Sequence, residues 1–257
     1  MRYHIDTIPV WDAVKQGGEC PLCSLRRKIE LTDVERFLGA SVMDPEARVR
    51  VNEKGFCTRH HALLYAQKNR LGHALMTHTH LKETIARLAP ALRQAREAGE
   101  SAAQDKSPRR LLKKETGREG LRAAAARVQE LTQSCILCDS IQENLHRYAL
   151  GFLKLYETDA AFRAAFAASK GVCLPHLGML LELAAEEMSG PALGGFAADL
   201  TNAVERNLTK LEKDIEGFTL KFDYRNADKP WGDSRGSLER AVNLLRGWSL
   251  GEEPNPK

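Results

Sequence analysis

The sequence predicts an all-α fold made of two similar helical units, and three observations support this prediction. Apolar residues recur at helical spacing along much of the chain, no run of alternating apolar and polar residues indicates strands, and one cysteine–histidine pattern occurs twice. We therefore expect two pseudo-repeated helical units packed as a bundle. Each unit is expected to hold one Cys3His metal site where two helix N-termini converge.

The longest apolar stripe predicts a single amphipathic helix from about Thr58 to Glu97. Its residues recur every seven positions, with others between them: Leu64, Leu71, Ala74, His78, Leu81, Ile85, Leu88 and Leu92. A stripe of this length needs a partner helix, which we expect the opposite unit to supply. Two further stripes run from Leu137 to Leu155 and from Phe196 to Phe218.

Composition divides the chain into four parts. Residues 1–100 form a first helical metal-binding unit, 101–119 a basic linker, 120–219 a second unit, and 220–257 a C-terminal loop with a short helix. From Asp105 to Arg127 there are eight Lys or Arg against three Asp or Glu. We interpret this excess as a solvated linker. The alternative, a nucleic-acid surface around Pro108–Lys114, lacks the aromatic residues that usually interleave such charges.

The overall composition is typical of a soluble protein, with 43% apolar and 28% charged residues and a net charge of +4. No stretch approaches the roughly 18 apolar residues of a membrane helix, and the first residues show no secretory signal. We therefore expect a cytoplasmic protein without a membrane partner. In that compartment thiols stay reduced, and cysteines more often serve metals or catalysis than disulfides.

The repeated pattern pairs a Cys-x2-Cys with a later Cys-x2-His in each half of the chain. The ligand candidates are Cys20, Cys23, Cys57 and His60 in the first half, and Cys135, Cys138, Cys173 and His176 in the second. Flanking positions agree as well: Leu22 with Leu137, Phe37 with Phe152, Asp44 with Asp159, and Lys54-Gly55 with Lys170-Gly171. We expect each half to close its own site.

Six cysteines and two histidines divide evenly into two Cys3His sets, which is a donor set that zinc binds tetrahedrally. The sequence therefore predicts two zinc ions per chain. Three thiolates, a neutral imidazole and Zn²⁺ sum to a charge of −1, which the positive ends of helices stabilise. An iron–sulfur cluster is the main alternative, and disulfides or a thioredoxin-type redox pair are further ones.

Four protein ligands leave no coordination position for water or substrate, which favours structural sites and a non-enzymatic scaffold or adaptor that binds an unknown protein partner. The first alternative is a metal- or redox-responsive regulator, in which oxidation of the thiolates releases the metal. Further alternatives are a nucleic-acid binder using the basic linker and an enzyme with an open zinc site. His61 competes with His60 as a ligand, but Leu177 occupies the equivalent position in the second half.

A histidine cluster, His73, His78 and His80, follows the first Cys-x2-His pair. It admits two interpretations, an additional metal or proton-handling site, or one hydrogen-bonded core histidine with two surface ones.

The segments ECPLC, GFCTRHH, CILC with GVCLPH, and the late FDYRN with PWG together resemble an uncharacterised bacterial family of unknown function. The resemblance extends from about His4 to Trp248. It implies the same eight ligand positions in this chain and brings no activity with it.

Overall fold

The computed structural model describes residues 7–104, 110–226 and 228–251, without the side chains of residues 102, 104 and 110–116. Within this part of the chain the fold is all-α, as predicted, and it contains no strand. The α-helices are α1 Thr7–Lys15, α2 Pro21–Leu38, α3 Pro45–Lys54, α4 Thr58–Ala66, α5 Arg70–Gln104, α6 Arg110–Gln133, α7 Ile136–Thr158, α8 Ala160–Ala167, α9 Leu174–Glu187, α10 Gly190–Leu220 and α11 Ser237–Arg246. None of these described helices is long and apolar enough to cross a membrane.

The chain forms two compact units that do not coincide with its two sequence halves. The first unit comprises Met1–Glu30 and Ile141–Lys257, and the second comprises Leu31–Ser140. Both boundaries fall inside helices, one in α2 and one in α7. Each unit therefore combines segments from both halves of the sequence, whereas the sequence led us to divide the chain at the linker.

An aromatic cluster forms the centre of the first unit. Phe152 of α7 lies 4.9 Å, between ring centroids, from both Phe162 and Phe166 of α8. Phe196 of α10 packs on Tyr156 of α7 at 5.0 Å. The four phenylalanines are fully buried. Edge-to-face pairs at these distances are favourable for aromatic rings, so the stripes of α7 and α10 meet here as buried faces.

The second unit has a smaller core. Phe37 of α2 packs edge-to-face on Phe56, just before α4, at 5.9 Å between ring centroids. Leu64 of α4, Met76 of α5 and Leu137 of α7 complete the same buried cluster. Helix α6 packs along α5.

The single helix predicted for Thr58–Glu97 is wrong, because the structure has two helices there. Helix α4 ends at Ala66 and α5 begins at Arg70. The side-chain oxygen of Asn69 accepts a hydrogen bond from the Gly72 amide at 2.9 Å, as an N-cap residue does. The Asn69 amide group also donates to the Leu38 carbonyl at 2.6 Å. The Asn69 side chain thus caps the N-terminus of a new helix at a point where the seven-residue apolar spacing continues without a break.

The apolar stripe of α5 faces solvent, whereas the sequence predicted that it would be buried against another helix. Leu71, Leu81, Ile85 and Leu92 are 71%, 53%, 61% and 52% exposed, respectively. Helix α3 instead packs against the other side of α5. On that side Gly72 permits close approach to Val42, and Arg48 of α3 donates to the Thr79 hydroxyl at 2.9 Å. Polar hydrogen bonds, which an apolar pattern does not register, decide this orientation.

The predicted linker 101–119 is helical wherever the structure describes it, since it contributes to the end of α5 and the start of α6. Pro108 and Arg109 of the basic patch lie outside the described residues, and the patch side chains from 110 to 114 are not described.

Positions that correspond between the two halves have the same structural role. Asp44 is the N-cap of α3 and accepts from the Glu46 amide at 3.0 Å. Asp159 is the N-cap of α8 and accepts from the Ala161 amide at 2.9 Å. The corresponding pairs Leu22 and Leu137, and Phe37 and Phe152, are completely buried.

Candidate metal centres

Four helices begin at a pair of ligand candidates. The first residue of each pair directly precedes the helix, and the second is the third residue within it: Cys20 and Cys23 at α2, Cys57 and His60 at α4, Cys135 and Cys138 at α7, and Cys173 and His176 at α9. Residues at these two positions lie on the same side of the first turn, so both donors of a pair can reach one ion. The N-terminal location also directs the positive end of each helix dipole toward the donors.

The N-termini of α2 and α9 form the first centre, which we call cluster A: Cys20, Cys23, Cys173 and His176. Nδ1 of His176 lies 3.2 Å from Cys173 Sγ, 3.3 Å from Cys20 Sγ and 3.6 Å from Cys23 Sγ. The sulfurs of Cys23 and Cys173 are 3.7 Å apart. All four residues are buried, and all belong to the first unit.

The N-termini of α4 and α7 form the second centre, cluster B: Cys57, His60, Cys135 and Cys138. Nδ1 of His60 lies 3.2 Å from both Cys57 Sγ and Cys135 Sγ, and 3.5 Å from Cys138 Sγ. The sulfurs of Cys57 and Cys138 are 3.7 Å apart. All four residues belong to the second unit. Cys138 is exposed and Cys57 half-buried, in contrast to cluster A.

The donor separations in both clusters fit a single tetrahedral ion. With Zn–S of about 2.3 Å and Zn–N of about 2.05 Å, tetrahedral angles place two sulfurs about 3.75 Å apart and a sulfur and a nitrogen about 3.5 Å apart. The observed values, 3.7 Å between sulfurs and 3.2 to 3.6 Å between sulfur and nitrogen, are close to this geometry. Each cluster is thus a candidate metal site of four protein donors.

The structure brings together all eight predicted ligand residues, but the expectation that each half closes its own site is wrong. Cluster A combines Cys20 and Cys23 with the Cys-x2-His pair of the second half, and cluster B combines Cys135 and Cys138 with that of the first half. His60, and not His61, is the histidine whose Nδ1 faces the three sulfurs of cluster B.

Helix lengths provide the physical reason for this exchange. Helix α2 has 18 residues and is about 27 Å long, whereas the following α3 has 10 residues and is about 15 Å long. In the second half, α7 has 23 residues and α8 only 8, about 34 Å against 12 Å. In both halves the chain leaves its Cys-x2-Cys pair along a long helix, and the shorter helix that follows does not bring it back.

Two ion pairs, which the sequence analysis missed, join the same segments as the clusters do. Lys54, three residues before Cys57, pairs with Asp139, which follows Cys138. Lys170, three residues before Cys173, pairs with Glu19, which precedes Cys20. The two lysines correspond in the repeat, and each contacts an acidic residue beside the Cys-x2-Cys of the other half. The sequence alone could not reveal these pairings, because each lysine could equally pair with the acidic residue beside the Cys-x2-Cys of its own half.

Hydrogen bonds adjust the thiol and imidazole chemistry of cluster A. Hydrogen bonds from Cys173 and Cys20 lower the pKa of the Cys23 thiol well below its ordinary value. The backbone amide of Trp248 also donates to Cys23 Sγ at 3.4 Å. Burial by itself would lower the pKa of His176, but hydrogen bonds with Cys173 and Cys23 outweigh it and raise that pKa to about 9. Cys23 therefore becomes a thiolate more readily than Cys20, because burial raises the pKa of the Cys20 thiol well above its ordinary value.

In cluster B the pKa values of the two cysteines at the N-terminus of α7 are shifted in opposite directions. Burial raises the pKa of Cys135, but a hydrogen bond from His60 and backbone amides outweigh it, and the pKa falls to about 6. Burial and the neighbouring Cys135 raise the pKa of Cys138 to about 12. A cavity of about 490 Å³ borders this cluster, with Cys57, His61 and His80 among its lining residues. A larger cavity of about 620 Å³ borders Cys20, Cys23 and Cys173 of cluster A. Cluster B is nevertheless the more accessible centre, because Cys138 is exposed and Cys57 half-buried, whereas the ligand candidates of cluster A are buried.

The histidines near cluster B form hydrogen bonds rather than one three-histidine site. His73 lies against His61, with 2.9 Å between Nε2 and Nδ1, while His80 Nδ1 contacts the Asn52 carbonyl at 2.9 Å and His78 is exposed. Two imidazoles on one tetrahedral zinc would have nitrogens about 3.35 Å apart, whereas 2.9 Å is an ordinary N–H···N distance. We therefore interpret His61 and His73 as a hydrogen-bonded pair.

The fold and the two clusters define a class, that of all-α proteins with two candidate Cys3His metal centres at converging helix N-termini. The chain belongs to a family of unknown function (DUF6062), whose model matches residues 1–252. Neither a curated protein nor a solved structure matches the chain.

Proposed function

We propose that this protein is a non-enzymatic scaffold or adaptor, stabilised by two structural zinc ions and acting through protein partners in the cytoplasm. One observation supports the proposal most directly: each cluster offers four protein donors at zinc distances and draws them from distant parts of the chain. Cys23 and Cys173 are 150 residues apart, and Cys57 and Cys138 are 81 apart. A metal there links segments that would otherwise be held only by packing, hydrogen bonds and exposed ion pairs.

Zinc is the metal that the donors support best. Three thiolates and one imidazole suit its borderline softness, and donor separations of 3.2 to 3.7 Å suit one ion. An iron–sulfur cluster contains several metal atoms, which hold their protein ligands further apart. With four protein donors, no coordination position remains for water or substrate, and this supports a structural rather than a catalytic role.

Metal and thiol analysis of the protein purified without oxygen tests the proposal. We expect two zinc ions per chain and six cysteines that react with a thiol reagent only after chelation. Chelation should also lower the thermal midpoint, because each metal links distant segments. Iron with sulfide would contradict the zinc assignment. Two zinc ions whose removal leaves the thermal midpoint unchanged would contradict the structural role.

The second candidate is a redox-responsive regulator that uses cluster B, and the exposure of Cys138 favours it. A peroxide would oxidise two thiolates, such as those of Cys57 and Cys138, to a disulfide. The peroxide is reduced to water in this two-electron step, and the metal leaves with the loss of its ligands. Stoichiometric peroxide should then release one zinc per chain and change partner binding. Unchanged zinc content under these conditions would contradict the redox-responsive role, and only the scaffold role would remain of these two candidates.

A further inference from the structure

Helix α5 carries an apolar stripe that has no partner in the described part of the chain. The α5 stripe consists of Leu71, Ala74, Leu75, His78, Leu81, Ile85 and Leu92, and all of these side chains are exposed. Single exposed leucines are ordinary on protein surfaces, but a continuous row of them usually marks an interaction site.

The other faces of α5 are already used within the second unit. Met76 is fully buried in the core, and Arg48 of α3 donates to the Leu75 carbonyl at 3.0 Å. Further along, Ala91 is buried on α5 and Ala124 on α6, and a Cβ placed at Gly120 would lie 3.0 Å from Ala98. The stripe is thus a separate surface of α5, distinct from its contacts with α3 and α6.

The stripe has the spacing of a coiled-coil seam. Leu71, His78, Ile85 and Leu92 are seven residues apart, with Ala74 and Leu81 at the intermediate positions and the half-buried Leu88 at the last one. Residues 71–92 cover about three heptads, or about 33 Å of helix, and Pro90, inside the third heptad, lies on the side of α5 away from the stripe. An average spacing of 3.5 residues keeps a seam facing a second helix along its whole length. The partner that this pattern fits is therefore another helix lying along α5.

We propose that this second helix is α5 of another copy of the chain, so that the protein forms a symmetric dimer through the α5 stripe. The stripe residues include no Lys, Arg, Asp or Glu, and Lys82, seven residues after Leu75, flanks the seam where its ammonium group can stay hydrated, so pairing the stripe with itself buries no unpaired charge. A two-fold dimer needs one self-complementary patch, and a seam of apolar residues meets this condition. The polar His78 within the seam is the kind of residue that selects one register in coiled coils.

The exposed area is sufficient for a dimer. From the exposed fractions of Leu71, Leu75, Leu81, Ile85 and Leu92, the large side chains contribute roughly 500 Å² per copy. Two copies would bury about 1,000 Å² from these residues, with Ala74 and His78 adding to it, and this is the lower bound for a specific interface. We therefore expect a reversible dimer rather than an obligate one.

Sedimentation of the full-length, metal-loaded protein tests the proposal, in reductant and from about 1 to 100 µM. The monomer mass is 28.6 kDa, and we expect the mean mass to rise toward twice this value with concentration. The double variant Leu81→Gln, Ile85→Gln should weaken association at least tenfold. Both side chains are exposed, so helicity and zinc content should stay at wild-type levels.

The control is Leu121→Gln on α6, an exposed leucine outside the stripe that should leave association unchanged. A wild-type protein that stays monomeric at 100 µM would overturn the proposal, as would a double variant that dimerises as strongly as the wild type. Zinc content measured on the same samples keeps this outcome separate from that of the proposed scaffold role.

Discussion

Replacing Cys173 with serine tests the exchange of ligands between the two halves of the chain. In the structure Cys173 belongs to cluster A, with Cys20, Cys23 and His176. Losing this ligand should release the metal of cluster A and leave cluster B intact. The thiols that become reactive should therefore be Cys20 and Cys23, which are 150 or more residues away in sequence, and not those of the second half.

The stability cost follows from the length of chain that the metal closes. The link between Cys23 and Cys173 spans 150 residues. If the metal is treated as a cross-link, the chain-entropy model gives about 5 kcal/mol for a loop of this length. That is a large fraction of the roughly 5–15 kcal/mol that stabilises a typical domain. We therefore expect the first unit of Cys173→Ser to unfold separately and at a lower temperature than the second.

Alkylation of the native variant, followed by peptide mass spectrometry, identifies the released thiols. The matched control is Cys57→Ser, which removes the equivalent ligand from cluster B and should expose Cys135 and Cys138 instead. Labelling of Cys135 and Cys138 in Cys173→Ser would show that each half closes its own site, and would refute the exchange. One zinc per chain should remain in each variant.

Three further predictions concern local features. Gly55→Ala should destabilise cluster B by about 1–3 kcal/mol, because Gly55 has φ +62° and a Cβ there would lie 2.3 Å from His80. The rate of zinc release to a chelator measures this effect, with Gly99→Ala as the control. Equal release rates in the two variants would contradict the prediction. Asp44→Ala should lower the free energy of unfolding by about 1 kcal/mol, because α3 loses its N-cap. Asp159→Ala should lower the thermal midpoint further, because the Asp159 carboxylate also accepts a hydrogen bond from Trp11 Nε1 at 3.0 Å. Equal midpoints for the two variants would show that this hydrogen bond adds nothing to stability. A limiting amount of chelator should remove the metal of cluster B first, because Cys138 is exposed. Alkylation of the thiols released by the chelator measures the order. Labelling of Cys20 and Cys23 before Cys138 would contradict the prediction.

Local sequence features were sufficient to predict the donor set. A ligand pair at a helix N-terminus depends only on a few neighbouring residues, and Pro21, Gly55 and the Cys-x2-Cys and Cys-x2-His spacings all lie within one turn of their ligands. The positions of Asp44 and Asp159 as helix caps follow from equally local hydrogen bonds. For this reason the all-α class and the eight candidate donors of the two clusters were predictable from the sequence.

The face of α5 that is buried depended on contacts that the apolar pattern does not encode. Hydrogen bonds from Arg48 and the close approach at Gly72 place against α3 a face of α5 that is polar apart from the buried Met76. Burial of a polar face is possible where its groups are hydrogen-bonded, so the most apolar face is not always the inner one. The break at Asn69 has the same origin, since one side-chain acceptor begins α5 there.

The sequence by itself therefore determined the helical class, the eight candidate donors and their location at helix N-termini, because these properties depend on residues close together in the chain. The tertiary structure decided which Cys-x2-Cys pair meets which Cys-x2-His pair. That choice depends on how far α2 and α7 carry the chain compared with the shorter α3 and α8. Each half has the same pattern, so spacing alone cannot distinguish a site closed within one half from a site shared by both.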